Sequence, residues 1–199
     1  MAGARNQHME SRKHPKGSLE YFPTPPWATR ALIHEILVRH LGIDTKGKRV
    51  REPAAGGGHM LPPLREAFGS VDFSDVADWG IAPPLRDFTF ESRESLIADG
   101  LEIPDWLITN PPFEISTTFF MRAWEIAIEG VAIFIRIGWL AGQDRYKTIY
   151  SPTPPTLAGI FSERVALIEE AWDPEASTAT DYMWLVWVKD MPPRPIFHF

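Results

Sequence analysis

Residues 131–137 are apolar at every position except Arg136. A strand with one face in water alternates polar and apolar residues, and this segment does not. It therefore predicts a central strand that is buried on both faces, as in mainly parallel sheets covered by helices on both sides. This single segment favours an α/β sandwich.

Shorter segments on both sides of this run repeat the alternation of helix and strand. Pro25 and Pro26 open a helix that Gly42 ends, because proline is tolerated in a first turn and glycine often follows a last one. The last two predicted strands have no helix between them and should pair antiparallel at one edge. The other predicted elements are strands 49–52, 71–75, 87–90, 106–109, 165–168 and 182–188, helices from the glycine cluster to Phe68 and over 116–128, and a loop over 138–159.

Composition limits the class of protein. The 199 residues suit one domain, and the absence of cysteine excludes disulfides, thiolate metal sites and cysteine nucleophiles. The six histidines lack metal-ligand spacing, so we expect no metal. The polar N-terminus and the lack of a run of about 18 apolar residues predict neither a signal peptide nor a membrane span. A cytoplasmic protein is expected.

Charge is distributed unevenly along the chain. Residues 1–17 carry a net charge of +3 and the remainder carries −9. We predict that residues 1–17 are a disordered basic tail and that residues 18–199 form a single domain. The tail is either a solvated terminus or a source of phosphate contacts.

A glycine-rich turn follows the first predicted strand, in the order Glu52-Pro53-Ala54-Ala55-Gly56-Gly57-Gly58. Glycines let the backbone approach a ligand, and ligands of parallel sheets bind at the carboxyl ends of strands. Leu61 stands where a dinucleotide fingerprint needs glycine or alanine, and the lysine of a phosphate loop is absent. The acidic Glu52 favours a cationic ligand such as S-adenosylmethionine. The alternative is a turn without a ligand.

Two aspartates follow later strands. Asp75 ends the second strand and can accept hydrogen bonds from ribose hydroxyls, and Val76 can contact an adenine ring. Asp87, near the third strand, can bind an adenine amino group. For each aspartate, the alternative is an ordinary carboxylate at a strand end or in a turn.

The most specific motif is Asn110-Pro111-Pro112-Phe113, directly after the strand 106–109. Two prolines cannot continue a ladder or a helix, so they form a rigid extended turn. The Asn110 amide oxygen and the Pro111 carbonyl can then accept both hydrogens of an aromatic amino group. Phe113 can stack on the base. The alternative is a tight Asn-Pro turn without chemistry.

The glycine-rich turn and the Asn-Pro-Pro-Phe motif together resemble the amino-methyltransferase branch of the Rossmann-like methyltransferases. They are most similar to adenine-N6 DNA methyltransferases, particularly small phage or prophage types. The upstream segment with Tyr21, Pro23 and Thr24 resembles the family's aromatic segment at the methionine end of the cofactor, in the gamma order. The resemblance implies seven strands with the last one reversed, and S-adenosylmethionine as cofactor. The cofactor-binding residues that it implies are Tyr21, Pro23, Thr24, Glu52, Pro53, Ala54, Gly56, Gly58, Asp75, Val76, Asp87 and Asn110.

The sequence after the last strand leaves no room for a separate target-recognition domain, which predicts lax sequence specificity. Trp139, Arg145 and Lys147, in the loop after the central strand, are the candidates for nucleic-acid contact, since basic and aromatic residues alternate there. The alternative is a solvated loop with core aromatics. A target base must leave the helical stack to reach Asn110.

The resemblance implies methylation of adenine N6 in DNA. Three alternatives keep the same chemistry: a guanine N2 or adenine N6 group in RNA, cytosine N4, or a glutamine side chain in a protein. A fourth is an inactive methyltransferase fold that binds nucleic acid or a partner protein.

Overall fold

The computed structural model describes Leu19, residues 21–165, Leu167 and residues 180–193. These residues form one six-stranded sheet. Its strands are β1 (Arg49–Glu52), β2 (Ser70–Phe73), β3 (Trp106–Thr109), β4 (Gly130–Arg136), β5 (Leu157–Ile160) and β6 (Tyr182–Val188). The spatial order is β2-β1-β3-β4-β6-β5, and β6 runs antiparallel to both of its neighbours. The predicted α/β sandwich with a reversed last strand is confirmed.

Helices cover both faces of this sheet. The structure contains α1 (Pro26–Ala31), α2 (Leu61–Ala67), α3 (Arg93–Ala98), α4 (Ser116–Ile126) and α5 (Gln143–Arg145). Helix α1 continues as a π-helical segment (Leu32–His40), and α5 continues as a second one (Tyr146–Tyr150). Short 3-10 turns occupy Phe88–Phe90, Phe113–Ile115 and Ile137–Leu140. Over the described residues, no helix has the length and apolar character needed to span a membrane.

Strand β4 separates two hydrophobic cores. Val131, Ile133 and Ile135 belong to the core that contains α3 and α4, whereas Ala132 and Phe134 belong to the core of α1 and α2. All five side chains are buried, as the apolar run predicts. The Trp184 indole in β6 donates a hydrogen bond to the Ala28 carbonyl over 2.8 Å, which ties α1 to the sheet.

The strand predicted at 87–90 is wrong, because this segment forms a 3-10 turn. The Asp87 side chain accepts hydrogen bonds from the Thr89 amide at 3.0 Å and the Thr89 hydroxyl at 2.6 Å, which favours the turn. Just beyond it, both carboxylate oxygens of the buried Glu91 bond to Arg51 in β1. An isolated bridge joins Asp75 to Leu85, two residues before this segment. The described sheet therefore has six strands rather than seven.

The strand before β6 also lies elsewhere than predicted. It is β5, which begins within the predicted loop 138–159 and ends one residue beyond it, whereas Val165 and Leu167 lie outside any strand. Glycine is rare in strands, but a Cβ at Gly159 would stand 2.3 Å from the Ile36 side chain. Glycine here lets the N-terminal helix approach the sheet. Residues 166 and 168, and the tail predicted at 1–17, lie outside the described residues.

The start of β4 yields a stability prediction. A Cβ at Gly130 would stand 2.5 Å from the Trp106 ring and 2.8 Å from the Trp187 carbonyl oxygen. We expect Gly130→Ala to lower the free energy of unfolding by about 1–3 kcal/mol through overpacking. Thermal unfolding measures the change, with Gly138→Ala as the matched control, because a Cβ there meets no atom within 4 Å. Equal melting temperatures for the two variants would contradict the prediction.

Candidate active site

One cavity of about 390 Å³ lies at the carboxyl ends of β1, β2 and β3. This volume falls in the range of ligand pockets. The cavity brings together most of the predicted site residues. Its walls include Tyr21, Pro23, Thr24, Pro53, Ala54, Asp75, Val76, Asp87, Asn110, Pro111, Pro112 and Phe113.

The glycine-rich turn forms one side of this cavity. Gly56 and Gly58 adopt positive φ angles of 52° and 78°, which other residues rarely adopt. The Gly56 amide donates to the Asp75 carboxylate at 2.8 Å, and the Gly58 amide donates to the Ala55 carbonyl at 2.8 Å. Both amides are thus engaged inside the protein. The turn does not offer them to a phosphate, in agreement with the missing phosphate-loop motif.

Asp75 is a buried carboxylate at the cavity wall. Besides Gly56, it accepts hydrogen bonds from the Ala77 amide at 3.0 Å and from the Trp79 indole at 3.3 Å. Val76 beside it is half exposed, and Asp87 uses one oxygen to cap the 3-10 turn. Two carboxylates therefore line the cavity, where a ligand with hydroxyl or amino donors can bind.

The Tyr21 ring lies directly over the glycine-rich turn. A Cβ at Gly56 would stand 2.1 Å from Cε2 of this ring. The Tyr21 hydroxyl is 3.0 Å from Nδ1 of His59, and its ring is 4.9 Å from the Trp79 ring. Burial raises the pKa of Tyr21 and lowers the pKa of His59, so both side chains are neutral near pH 7. Gly56 is therefore covered by Tyr21 and does not line the cavity.

Glu52, at the end of β1, is fully buried and does not line the cavity either. Its Oε1 accepts hydrogen bonds from the Thr109 hydroxyl at 2.6 Å and from the Ala54 amide at 3.1 Å. Its Oε2 has no hydrogen-bond partner among the described residues. Burial raises the pKa of the Glu52 carboxyl well above its usual value, and the nearby Asp75 contributes in the same direction. Glu52 thus lies behind the cavity wall and joins the two loops.

The Asn110 side chain lines the cavity and has a defined orientation. Its Nδ2 donates a hydrogen bond of 2.8 Å to the Phe22 carbonyl, in the segment that precedes α1. The Oδ1 atom is buried and has no partner in the described part of the chain. An unpartnered buried acceptor costs about 1–3 kcal/mol, and a ligand that donates a hydrogen bond to Oδ1 would remove this cost.

Phe113 also lines the cavity and is half-buried. The Phe22 and Tyr182 rings stand 5.4 and 6.2 Å from it, tilted by 30° and 33°. The Arg136 guanidinium carbon lies 4.3 Å from the centre of the Phe113 ring. Phe113 therefore contacts two aromatic rings and one cation.

The loop residues predicted to contact nucleic acid take different positions. The Trp139 ring is buried, and its indole donates to the Ser116 hydroxyl at 2.9 Å. The Arg145 side chain donates to the Trp139 carbonyl at 2.8 Å and to the Ala141 carbonyl. Both side chains hold the loop together, whereas Lys147 is exposed. None of the three lines the cavity.

Sequence reasoning missed two groups at this site. Thr109 could have been identified from the sequence, because it is a polar residue that ends an apolar strand directly before the motif. The Phe22 carbonyl could not, because residue type does not indicate which backbone carbonyl accepts a hydrogen bond. Over the described residues, no group of three or more His, Asp or Glu could hold a metal ion.

No family model matches this sequence, and no curated protein matches it. Solved structures do match it. A protein described as an RNA methyltransferase from Pyrococcus horikoshii is 18% identical, with a TM-score of 0.61, over 89% of this chain and 91% of that one. A protein described as a class I S-adenosylmethionine-dependent methyltransferase from Listeria monocytogenes is 11% identical, with a TM-score of 0.57, over 86% and 63%.

A third match is the methyltransferase subunit of a type I restriction-modification system from Streptococcus thermophilus. It is 12% identical, with a TM-score of 0.58, over 87% of this chain and 46% of that one. This chain thus corresponds to about half the length of that subunit. At these identities the likeness concerns the fold, and this chain has the fold of these methyltransferases.

Proposed function

We propose that this protein transfers a methyl group from S-adenosylmethionine to an exocyclic amino nitrogen, and that its substrate is N6 of adenine in DNA. The observation that carries the proposal is the buried Asn110 Oδ1, an acceptor without a partner among the described residues. Its Nδ2 is engaged with the Phe22 carbonyl, which keeps the oxygen and the nitrogen from exchanging places. The site therefore presents an acceptor to a ligand that carries an N–H donor.

The residues of the cavity fit S-adenosylmethionine. Asp75 and Asp87 offer acceptors for ribose hydroxyls and an adenine amino group. The Thr24 hydroxyl, buried at the cavity wall, also lacks a hydrogen-bond partner among the described residues. Three carboxylates and one guanidinium line the described cavity, a balance that suits a cation. When bound, this cofactor supplies an electrophilic methyl group on a sulfonium.

The protein's own contribution is to position the acceptor. Asn110 Oδ1 and the Pro111 carbonyl accept the two hydrogens of the substrate amine, which draws the nitrogen toward tetrahedral geometry. Phe113 stacks on the base. No general base is needed at first, because the proton leaves the nitrogen after methyl transfer. The rate gain then comes from orientation and electrostatics.

Two considerations support adenine in DNA as the substrate. The Asn-Pro-Pro-Phe motif resembles that of adenine-N6 enzymes, and one protein with this fold is a restriction-modification methyltransferase subunit. RNA is the second candidate, because the protein described as an RNA methyltransferase matches over nearly its whole length. A tritium-transfer assay on DNA, RNA and protein, followed by mass spectrometry of the nucleosides, distinguishes these substrates. Label only in RNA or protein would overturn the DNA assignment.

Asn110→Ala tests the chemistry. Because this variant removes the acceptor that holds the amine, we expect methyl transfer to fall by at least about 100-fold. Cofactor affinity, measured by calorimetry, should fall far less than methyl transfer, and the melting temperature should fall by no more than the loss of the one hydrogen bond to the Phe22 carbonyl allows. Methylation that remains near the original rate would exclude the proposed role of Asn110.

Glu52→Gln tests the buried carboxyl. The pKa of Glu52 is raised in the folded protein, so the folded state retains a proton that the unfolded state loses above about pH 4.5. The original protein should therefore lose stability as pH rises above this value, while the variant, which cannot ionise, should not. We expect the variant's melting temperature to exceed the original's by at least about 2 °C at pH 8, and by less at pH 5.

Thermal unfolding at the two pH values measures this difference. Glu35→Gln, at an exposed position in the N-terminal helix, is the matched control. A difference between Glu52→Gln and the original protein that does not change with pH would contradict the argument.

A further inference from the structure

Arg136 is the last residue of β4 and its one exposed residue, after six buried ones. It lies at the carboxyl edge of the sheet, one strand from Asn110, since β3 and β4 are neighbours. No described carboxylate forms an ion pair with it. The cation therefore lies beside Phe113, which lines the cavity, and it has no ion-pair partner among the described acids.

The guanidinium group has a defined position beside the site. Its carbon lies 4.3 Å from the centre of the Phe113 ring, a cation–π distance. The guanidinium also lies near the hydroxyl of the buried Tyr182: burial raises the pKa of Tyr182, and Arg136 opposes that rise. The exposed arginine therefore stacks on the ring that lines the cavity next to Asn110.

A guanidinium is planar and delocalised, as a nucleobase is, and both stack on aromatic rings. In this structure Arg136 lies where a base stacked on that side of Phe113 would lie. A 4.3 Å separation leaves no space for a base between the two groups. Because the arginine is exposed, it can move outward without disturbing the core.

We infer that Arg136 is the second wall of the target-base site: it rests on Phe113 in the free protein and covers the outer face of the adenine that stacks on Phe113. This inference rests on the proposed function and adds a residue that positions the substrate. Arginine supplies a cation–π contact to the outer face of the base that lysine, a compact point charge, supplies less well.

The test compares Arg136→Ala and Arg136→Lys with the original protein. The binding probe is a single-stranded thymidine oligonucleotide with one 2-aminopurine, whose fluorescence falls on stacking. We expect Arg136→Ala to raise the dissociation constant, and the KM for unmethylated DNA, by about 3- to 30-fold, while kcat changes little. Arg136→Lys should be intermediate, and it alone carries the test if the alanine variant does not fold.

Arg39→Ala is the matched control, since Arg39 pairs with Glu35 on the exposed helix surface, away from the cavity. It should leave the KM and the fluorescence change as they are. If Arg136→Ala and Arg136→Lys also leave both unchanged, the inference is wrong. A fall in kcat or melting temperature at constant KM indicates a purely structural contact and overturns it as well.

The outcome also separates this inference from the proposed function. DNA methylation that does not depend on Arg136 leaves the proposed function intact and overturns the inference. Binding of 2-aminopurine that depends on Arg136, without methylation of any nucleic acid, overturns the proposed function and supports the second wall. A protein that neither binds the probe nor methylates DNA overturns both.

Discussion

The buried carboxyl of Glu52 is the interaction on which the candidate site depends. It accepts hydrogen bonds from the Thr109 hydroxyl, which precedes the Asn-Pro-Pro-Phe turn, and from the Ala54 amide in the glycine-rich turn. The two turns follow adjacent parallel strands, so their distance is fixed first by the sheet and then by this carboxyl. A side chain of another length would change the separation of the glycine-rich turn from the Asn-Pro-Pro-Phe turn.

The sequence predicted the interior of the sheet better than its edges. Strands β4 and β6 are apolar because both of their faces are covered. Such a run can be recognised from the sequence without knowledge of which elements pack against it. The failures at 87–90 and at β5 have tertiary causes. The segment 87–90 forms a turn because Asp87 caps it and because Glu91 pairs with Arg51. Strand β5 contains Gly159, a residue that argues against a strand in the sequence, because the Ile36 side chain packs where a Cβ would stand.

The candidate site shows the same division. Motif residues that end strands could be predicted to meet, because the carboxyl ends of parallel strands share one edge. The covering of Gly56 by Tyr21 could not be predicted, because that contact depends on how the N-terminal segment crosses the sheet. The positions of Arg145 and Trp139 also depend on tertiary contacts. The sequence places them in a loop where basic and aromatic residues alternate, but they pack against each other and the loop backbone. Alternation of residue types does not tell which side chains face solvent.

The bond between Asn110 and the Phe22 carbonyl joins residues that are 88 positions apart. The segment around Phe22 precedes the first helix and belongs to no described strand, and the peripheral parts of a fold open at a lower free-energy cost than its core. The orientation of the Asn110 amide thus depends on a segment distant in sequence, which its buried residues 23–25 and the contacts of Tyr21 with His59 and Trp79 hold in place. A change that loosens this segment would reorient the amide while the sheet stays intact, so loss of the site and unfolding of the sheet can occur as separate events.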